Sequence, residues 1–305
     1  MTQSLGRSIA ENVGTVLLGK PDVVELAVTT LIAGGHLLIE DRPGVGKTLL
    51  ARAIARSLDL PWRRIQCTAD LLPADVLGAQ IWSPQSGELR FHPGPVFTSV
   101  LIADELNRTP PRTQSALLEC MAERSVTVDG EPLPLPDPFF VVATQNPYTA
   151  AGTYPLPESQ LDRFLVRIAI GYPSAEDELR VAVQRDGHRA LADLAPVASS
   201  ERVREVRRAV HEVRVQDDVL RYLVELCRRT REMPDVTLGV SPRGTQALHL
   251  AARARAVLHD RDYVVPDDVA RLAVPVLAHR VQVDGGIDSA AALVGELVSR
   301  VPAPE

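Results

Sequence analysis

His36-Leu37-Leu38-Ile39-Glu40-Asp41-Arg42-Pro43-Gly44-Val45-Gly46-Lys47-Thr48-Leu49 is the stretch that decides the fold. Its first five residues form a short apolar run of strand type, and Leu49 to Leu58 carries a helical pattern. A glycine-rich turn joins them. Strand, glycine-rich turn and helix, in that order, is the context in which successive backbone N–H groups point inward at phosphate oxygens. Gly44 and Gly46 let the backbone curl, and a helix starting near Lys47 adds the positive end of its dipole. On this reading Pro43, Gly44, Val45, Gly46, Lys47, Thr48 and Leu49 form a nucleotide-binding loop for ATP. Lys47 brings a point charge to the β- and γ-phosphates, and Thr48 offers a hydroxyl to Mg2+. One residue departs from the strict pattern: Asp41 stands where the first glycine is expected. The chain has only two lysines, Lys20 and Lys47, among 33 basic residues, so a lysine at position 47 is more informative than in a lysine-rich chain.

Working outward, Val100-Leu101-Ile102-Ala103-Asp104-Glu105 is an apolar strand ending in two carboxylates. In a parallel sheet the ligand lies at the carboxyl ends of the strands. Asp104 then emerges beside the loop to hold Mg2+ through its water shell, and Glu105 orients and polarises the attacking water. An exposed acidic turn after a strand is the plain alternative; the pairing with a phosphate loop, in this order, argues against it. Val141-Val142-Ala143-Thr144-Gln145-Asn146-Pro147 is another apolar strand. Its Asn146 is placed to hold the water near the γ-phosphate without adding charge. By itself Asn-Pro is an ordinary turn signal.

Strand-type runs also occur at Arg63–Thr68, Phe139–Thr144 and Phe164–Ile170. Ile81–Phe91, with Ser86-Gly87 at its middle, reads as a hairpin or irregular insert. A helix is expected from Pro111 to Glu123, then a hairpin turning at Asp129-Gly130. Alternating strands and helices predict a mostly parallel, five-stranded α/β sheet covered on both faces. Residues 1–34 look helical. After Gly171-Tyr172-Pro173 helical periodicity dominates, with helices expected at Glu201–Val213, Asp217–Arg231, Pro242–His259 and Pro266–Arg280. The expectation is an α/β unit over 1–172 and a smaller all-helical unit over 173–305. Arg243 falls in the first turn after Ser241-Pro242, a place that can face a ligand. Arg163, in Leu161-Asp162-Arg163-Phe164, is by default a surface ion-pairing residue.

Composition narrows the classes. The chain is 45% hydrophobic and 24% charged, which is ordinary for a globular protein and argues against disorder. No apolar run approaches membrane-spanning length and the N-terminus has no signal-peptide layout, so a cytoplasmic protein without membrane insertion is expected. A net charge of −6 opposes sequence-independent binding to nucleic-acid backbones. Cys67, Cys120 and Cys227 are far apart without metal-ligand spacing, and read as buried thiols.

Five runs together resemble the MoxR family of AAA+ ATPases: GHLLIEDRPGVGKT (35–48), RIQCTADLLPADVLG (64–78), DELNRTPPRTQSALLECMAE (104–123), ATQNPYTAAGTYPLPESQLDRF (143–164) and SPRG (241–244). The resemblance implies a P-loop NTPase core followed by a helical lid. It makes Asn146 the sensor 1 residue, Arg163 the arginine finger acting on a neighbouring subunit's ATP, and Arg243 the sensor 2 arginine of the lid. Ile81–Phe91 becomes the helix-2 insert and Val126–Glu131 the pre-sensor-1 hairpin. It further implies a homo-oligomeric ring, usually a hexamer, that remodels a client protein or assists cofactor or metal insertion. A partner with a von Willebrand factor A domain often goes with it. The rival readings are a nucleic-acid motor, a nucleotide-dependent scaffold and a magnesium-chelatase-like subunit. Asp129 and Glu131, with no arginine in the hairpin, count against a phosphate-tracking loop, and the fourth run favours MoxR over the chelatases.

Overall fold

The computed structural model describes residues 5–85, 87–128, 130–147, 152–183 and 187–304. Four features of the sequence reading fall outside them: residues 1–4 at the start, Ser86 in the insert, Asp129 at the hairpin turn and residues 148–151 of the fourth run.

Two helices open the chain, α1 (Leu5–Gly14) and α2 (Pro21–Ile32), before β1 (Leu37–Glu40), α3 (Lys47–Ser57) and β2 (Trp62–Gln66). A short helix α4 (Pro73–Leu77) leads into the hairpin β3 (Gly78–Ser83) and β4 (Glu88–Pro93). Then come β5 (Val100–Asp104), a 3-10 turn (Leu106–Arg108), α5 (Pro111–Glu123), the hairpin β6 (Ser125–Val128) and β7 (Glu131–Pro134), β8 (Phe140–Gln145), α6 (Glu158–Leu161) and β9 (Val166–Ile168). The remainder is α7 (Ala175–Val183), α8 (Gly187–Ala192), α9 (Ser200–Glu212), α10 (Asp217–Arg229), β10 (Val236–Leu238), α11 (Pro242–Leu258), α12 (Pro266–Leu277), a 3-10 turn (Ala278–Arg280), β11 (Gln282–Val283) and α13 (Gly286–Arg300).

The five long-expected strands form one sheet in the order β2-β5-β8-β1-β9, every pair parallel. Side chains alternate across a strand, and the two faces bury different partners. Leu37, Ile39, Val100, Ile102, Phe140 and Val142 join a core with α1, α2, α3 and the C-terminal helices. Leu38, Leu101, Ala103, Val141 and Ala143 join a second core with Leu117, Leu118 and Phe164. This two-sided burial is why β1, β5 and β8 read as unbroken apolar runs.

Several boundaries follow local chemistry. Pro111 and Pro242 sit in first turns, where a missing N–H costs nothing. The Ser199 and Ser241 hydroxyls accept from Arg202 N and Gly244 N and cap α9 and α11. The structure corrects the all-helical expectation after residue 173 in one respect: β10 and β11 pair as a short antiparallel ribbon. Helices α7, α8 and α13 add to those expected. All three cysteines are free and buried, as expected, and burial pushes the Cys67 thiol up to about 11 and Cys120 to about 12. Among the described residues no helix is long and apolar enough to cross a membrane.

His36 ties the two layers together. Its Nδ1 accepts from Val141 N of β8 at 3.0 Å and its Nε2 donates to Met121 O of α5 at 3.1 Å. Both bonds require the neutral ring, and burial lowers its pKa to about 4. A histidine with a depressed folded-state pKa contributes stability that is complete above about pH 6.5 and is lost as pH falls through about 4. The contribution is at most about 3 kcal/mol. Chemical-denaturation midpoints should therefore fall between pH 7.5 and pH 4.5. They should fall less in His36→Gln, whose amide supplies both bonds without titrating; equal slopes would remove His36 from the acid sensitivity.

Candidate functional site

Because the sheet is parallel, the carboxyl ends of β1, β5 and β8 open onto one edge, and the loop after β1 lies across it. Gly44 and Gly46 adopt φ of 85° and 97°, a region that favours glycine. A Cβ at Gly44 would meet nothing within 4 Å, so it is the positive φ rather than close packing that calls for glycine there. Lys47 and Thr48 begin α3. The Lys47 ammonium donates to Asp41 O, to Gln145 O at 3.3 Å and to Asn146 Oδ1 at 2.8 Å. Burial lowers its pKa, opposed by Asp41, Glu105 and Asp104. Val45 and Leu49 pack their side chains on the core, and Pro43 is exposed. For Val45 and Leu49 the backbone N–H is what a phosphate would meet; Pro43 has none to offer and shapes the turn instead.

Asp104 is a buried carboxylate with several donors around it. The Thr48 hydroxyl lies 3.2 Å from Oδ2 and 3.3 Å from Oδ1. Thr144 Oγ1 donates to Oδ1 at 3.2 Å, and Arg64 Nε to Oδ2 at 2.6 Å. A hydroxyl and a carboxylate at this spacing form an all-oxygen donor pair suited to a hard divalent cation. Among the described residues no group of three or more His, Cys, Asp or Glu could hold a metal ion. Thr48 and Asp104 thus fit Mg2+ only as a partial shell, completed by phosphate oxygens and water.

Glu105 sits in a left-handed conformation, φ 59° and ψ 48°. Such a conformation costs of the order of 1–3 kcal/mol in a non-glycine residue and needs support. Its N–H is held by Thr144 Oγ1 at 3.0 Å. Its side chain accepts from Asn146 Nδ2 at 3.3 Å on one oxygen and pairs with Arg108 Nε at 2.7 Å on the other. Lys47, Asn146, Glu105 and Arg108 therefore form one continuous polar chain.

The structure brings Lys47, Thr48, Asp104, Glu105 and Asn146 together. It does not bring Arg163 or Arg243 to them. Arg163 is exposed, donates to Leu118 O at 2.6 Å and precedes β9. Its neighbour Leu165 bonds His36 O, at the amino end of β1. The loop and Arg163 are thus separated by the length of a four-residue strand, roughly 13 Å. Arg243, also exposed, lies on the same edge as Arg163: a Cβ on the next residue, Gly244, would stand 3.0 Å from Arg280 Cδ, and Arg280 bonds Asp162.

Four residues at the site were not singled out as functional from sequence. Arg64 and Thr144 bond Asp104, and Arg108 bonds Glu105. Asp41, at the position of the missing glycine, accepts from Arg42 N at 2.7 Å and Gly171 N at 2.6 Å. Its carboxylate ties the loop to the chain leaving β9. Only Asp41 left a signal, as a departure from the pattern; the partners of the arginines depend on strand order.

The chain matches the family model for the ATPase family associated with various cellular activities (AAA) over residues 36–166, and that of the AAA lid domain over 228–297. It is 48% identical to the uncharacterized protein YeaC of Bacillus subtilis, covering 98% of this chain and 95% of that one. It is 40% identical to Chaperone MoxR1 of Mycobacterium tuberculosis, over 91% of this chain and 75% of the other. The crystal structure of a candidate ATPase from Cytophaga hutchinsonii superposes with a TM-score of 0.86 at 33% identity, covering 97% and 94% of the two chains.

Lys47→Ala removes the side-chain cation at the head of α3 and little buried apolar surface. Titration with a fluorescent ATP analogue should show affinity reduced by about two orders of magnitude, with an unchanged circular dichroism spectrum. Wild-type affinity would mean the phosphates bind elsewhere.

Proposed function

We propose, since this chain belongs to the MoxR-type AAA+ ATPases and hydrolyses ATP in a chaperone role, that it works as a homo-oligomeric ring, a hexamer, whose Mg2+-dependent ATP hydrolysis remodels or matures a client protein. In this reading residues 1–172 are the ATPase unit and 173–305 the lid. The observation that carries it is the division of the site between two ends of the sheet. The loop, both carboxylates and Asn146 lie at the carboxyl ends, while Arg163 is exposed at the amino ends. An arginine finger at Arg163 would then reach the phosphates of the next subunit rather than those of its own. A head-to-tail contact repeated in this way closes into a ring when the rotation allows.

The chain's own groups divide the work as follows. The loop N–H groups and Lys47 hold the β- and γ-phosphates. Thr48 and Asp104 would hold Mg2+, which when bound neutralises charge between the phosphates. Glu105, fixed through both carboxylate oxygens, orients the attacking water and accepts its proton. Asn146 links Lys47 to Glu105, so a change at the phosphates reaches the base directly. Arg163 and Arg243, from the neighbouring subunit, meet the charge that develops on the γ-phosphate.

A protein client is supported by the β3–β4 hairpin. Ile81, Trp82 and Leu89 are all more than half exposed, and Trp82 stands directly opposite Leu89. Apolar surface of this kind suits a polypeptide rather than a phosphate backbone. The exposed Glu131 of the β6–β7 hairpin points the same way. A partner with a von Willebrand factor A domain and insertion of a metal or cofactor belong to this proposal.

Two measurements test it. Glu105→Gln keeps the shape but cannot take a proton. It should bind ATP like wild type, slow turnover by orders of magnitude and accumulate as a loaded ring; near-normal turnover would remove Glu105 from the mechanism. Arg163→Ala should bind ATP normally and lose about 10³ in turnover. Mixed with Lys47→Ala, which offers an intact Arg163, it should regain part of the activity. Full turnover by a strictly monomeric form would make Arg163 an ordinary surface arginine.

A further inference from the structure

Arg280 ends the 3-10 turn after α12, with its side chain 4% exposed. It is one of the most heavily bonded side chains in the molecule, and its partners flank Arg163 on both sides. Nε donates to Asp162 Oδ1 at 2.7 Å. Nη2 donates to Asp162 O at 3.1 Å and to Phe164 O at 2.7 Å. Nη1 reaches Leu165 O at 3.3 Å and also bonds Val276 O in the last turn of α12. The adjacent His279 places Nε2 3.0 Å from the same Phe164 O.

The three nitrogens of one planar fork thus hold residues 162, 164 and 165, while the side chain of residue 163 points outward. A lysine, with one nitrogen at the end of a flexible stem, cannot reproduce that fork. An aliphatic side chain of similar volume would fill the space but donate to none of these carbonyls. The same guanidinium stem supports the second exposed arginine of this edge. A Cβ at Gly244, next to Arg243, would lie 3.0 Å from Arg280 Cδ and 2.6 Å from Val240 Cγ1. Pro275 has no N–H to donate to Arg271 O, and α12 gives way two residues later to the turn that carries Arg280 toward the sheet.

We propose that Arg280 is the positioning residue of the arginine finger. It fixes Arg163, and the spacing of Arg163 from Arg243, to the lid of the same chain, so that lid movement in one subunit is delivered to the ATP of the next. The inference rests on Arg163 acting in a neighbouring subunit. It adds a specific route: the lid contacts the finger segment through one buried fork, and no part of its own phosphate loop lies on that route.

The route makes a defect in Arg280 a defect of donation. Arg280→Lys keeps the charge and most of the volume, and Asp162→Asn keeps an acceptor for Nε while removing the ion pair. The second variant serves if the first does not fold. Assembled rings of either should bind ATP within about twofold of wild type and lose at least tenfold in kcat. Mixed with Lys47→Ala, which lacks a working loop but has an intact finger, they should regain activity. Mixed with Arg163→Ala, which also lacks a donor, they should regain none. A buried arginine that merely holds the lid together would disturb its own chain's loop, and Lys47→Ala would not rescue it. Unchanged kcat in both variants, or a loss that Lys47→Ala does not relieve in demonstrably mixed rings, overturns the proposal. Full turnover in Arg163→Ala would instead overturn the finger reading on which it stands.

Discussion

The Lys47 ammonium sits where three oxygens converge, from Asp41, Gln145 and Asn146, and much of the rest of the site depends on that convergence. Asp41 follows β1 and Gln145 ends β8. The lysine can reach both only because those strands are parallel neighbours in register, Glu40 opposite Gln145. The half-buried cation is offset by carbonyl dipoles and by carboxylates at a distance, none of which saturates it. Phosphate oxygens carry more charge than any of these partners, so exchange of partners on binding is built into the arrangement.

A second constraint is the buried Asp104. A carboxylate out of water must be surrounded by donors, and each donor comes from a different element: Thr48 from α3, Thr144 from β8 and Arg64 from β2. This hub spans the three adjacent strands β2, β5 and β8. Through Thr144 it also holds the left-handed backbone of Glu105, so Asp104 and Glu105 share one hydroxyl.

The polar chain from Lys47 through Asn146 and Glu105 to Arg108 runs along the carboxyl edge. A separate network around Arg280 runs along the amino edge, joining the lid to the segment of Arg163. The two are separated by the sheet. A single apolar core extends from α1–α3 into the C-terminal helices.

The local parts of the molecule are legible in the order of its residues. Apolar runs of strand length, the Gly44–Thr48 turn, the proline and serine helix starts at Pro111 and Ser241, and the carboxylates at Asp104 and Glu105 are all set by residue chemistry within a few positions. The hairpin of the insert and the parallel sheet were legible for the same reason. Helix α7 left a signal that composition obscured: Ser174 caps Asp177 N and bonds its carboxylate. Helix α13 does carry a helical stripe, burying Ala290, Val294 and Leu297, but no proline or serine start marks it off in the chain. Tertiary structure alone decided which residues meet. Arg64 is 40 residues from Asp104 and Arg280 is 118 from Asp162. A guanidinium's partner is fixed by strand order and helix packing rather than by its neighbours in the chain. For the same reason only the fold could place Arg163 and Arg243 on the edge away from the phosphate loop: in sequence both are merely exposed arginines near a turn, and the direction of a parallel strand gives that position its meaning.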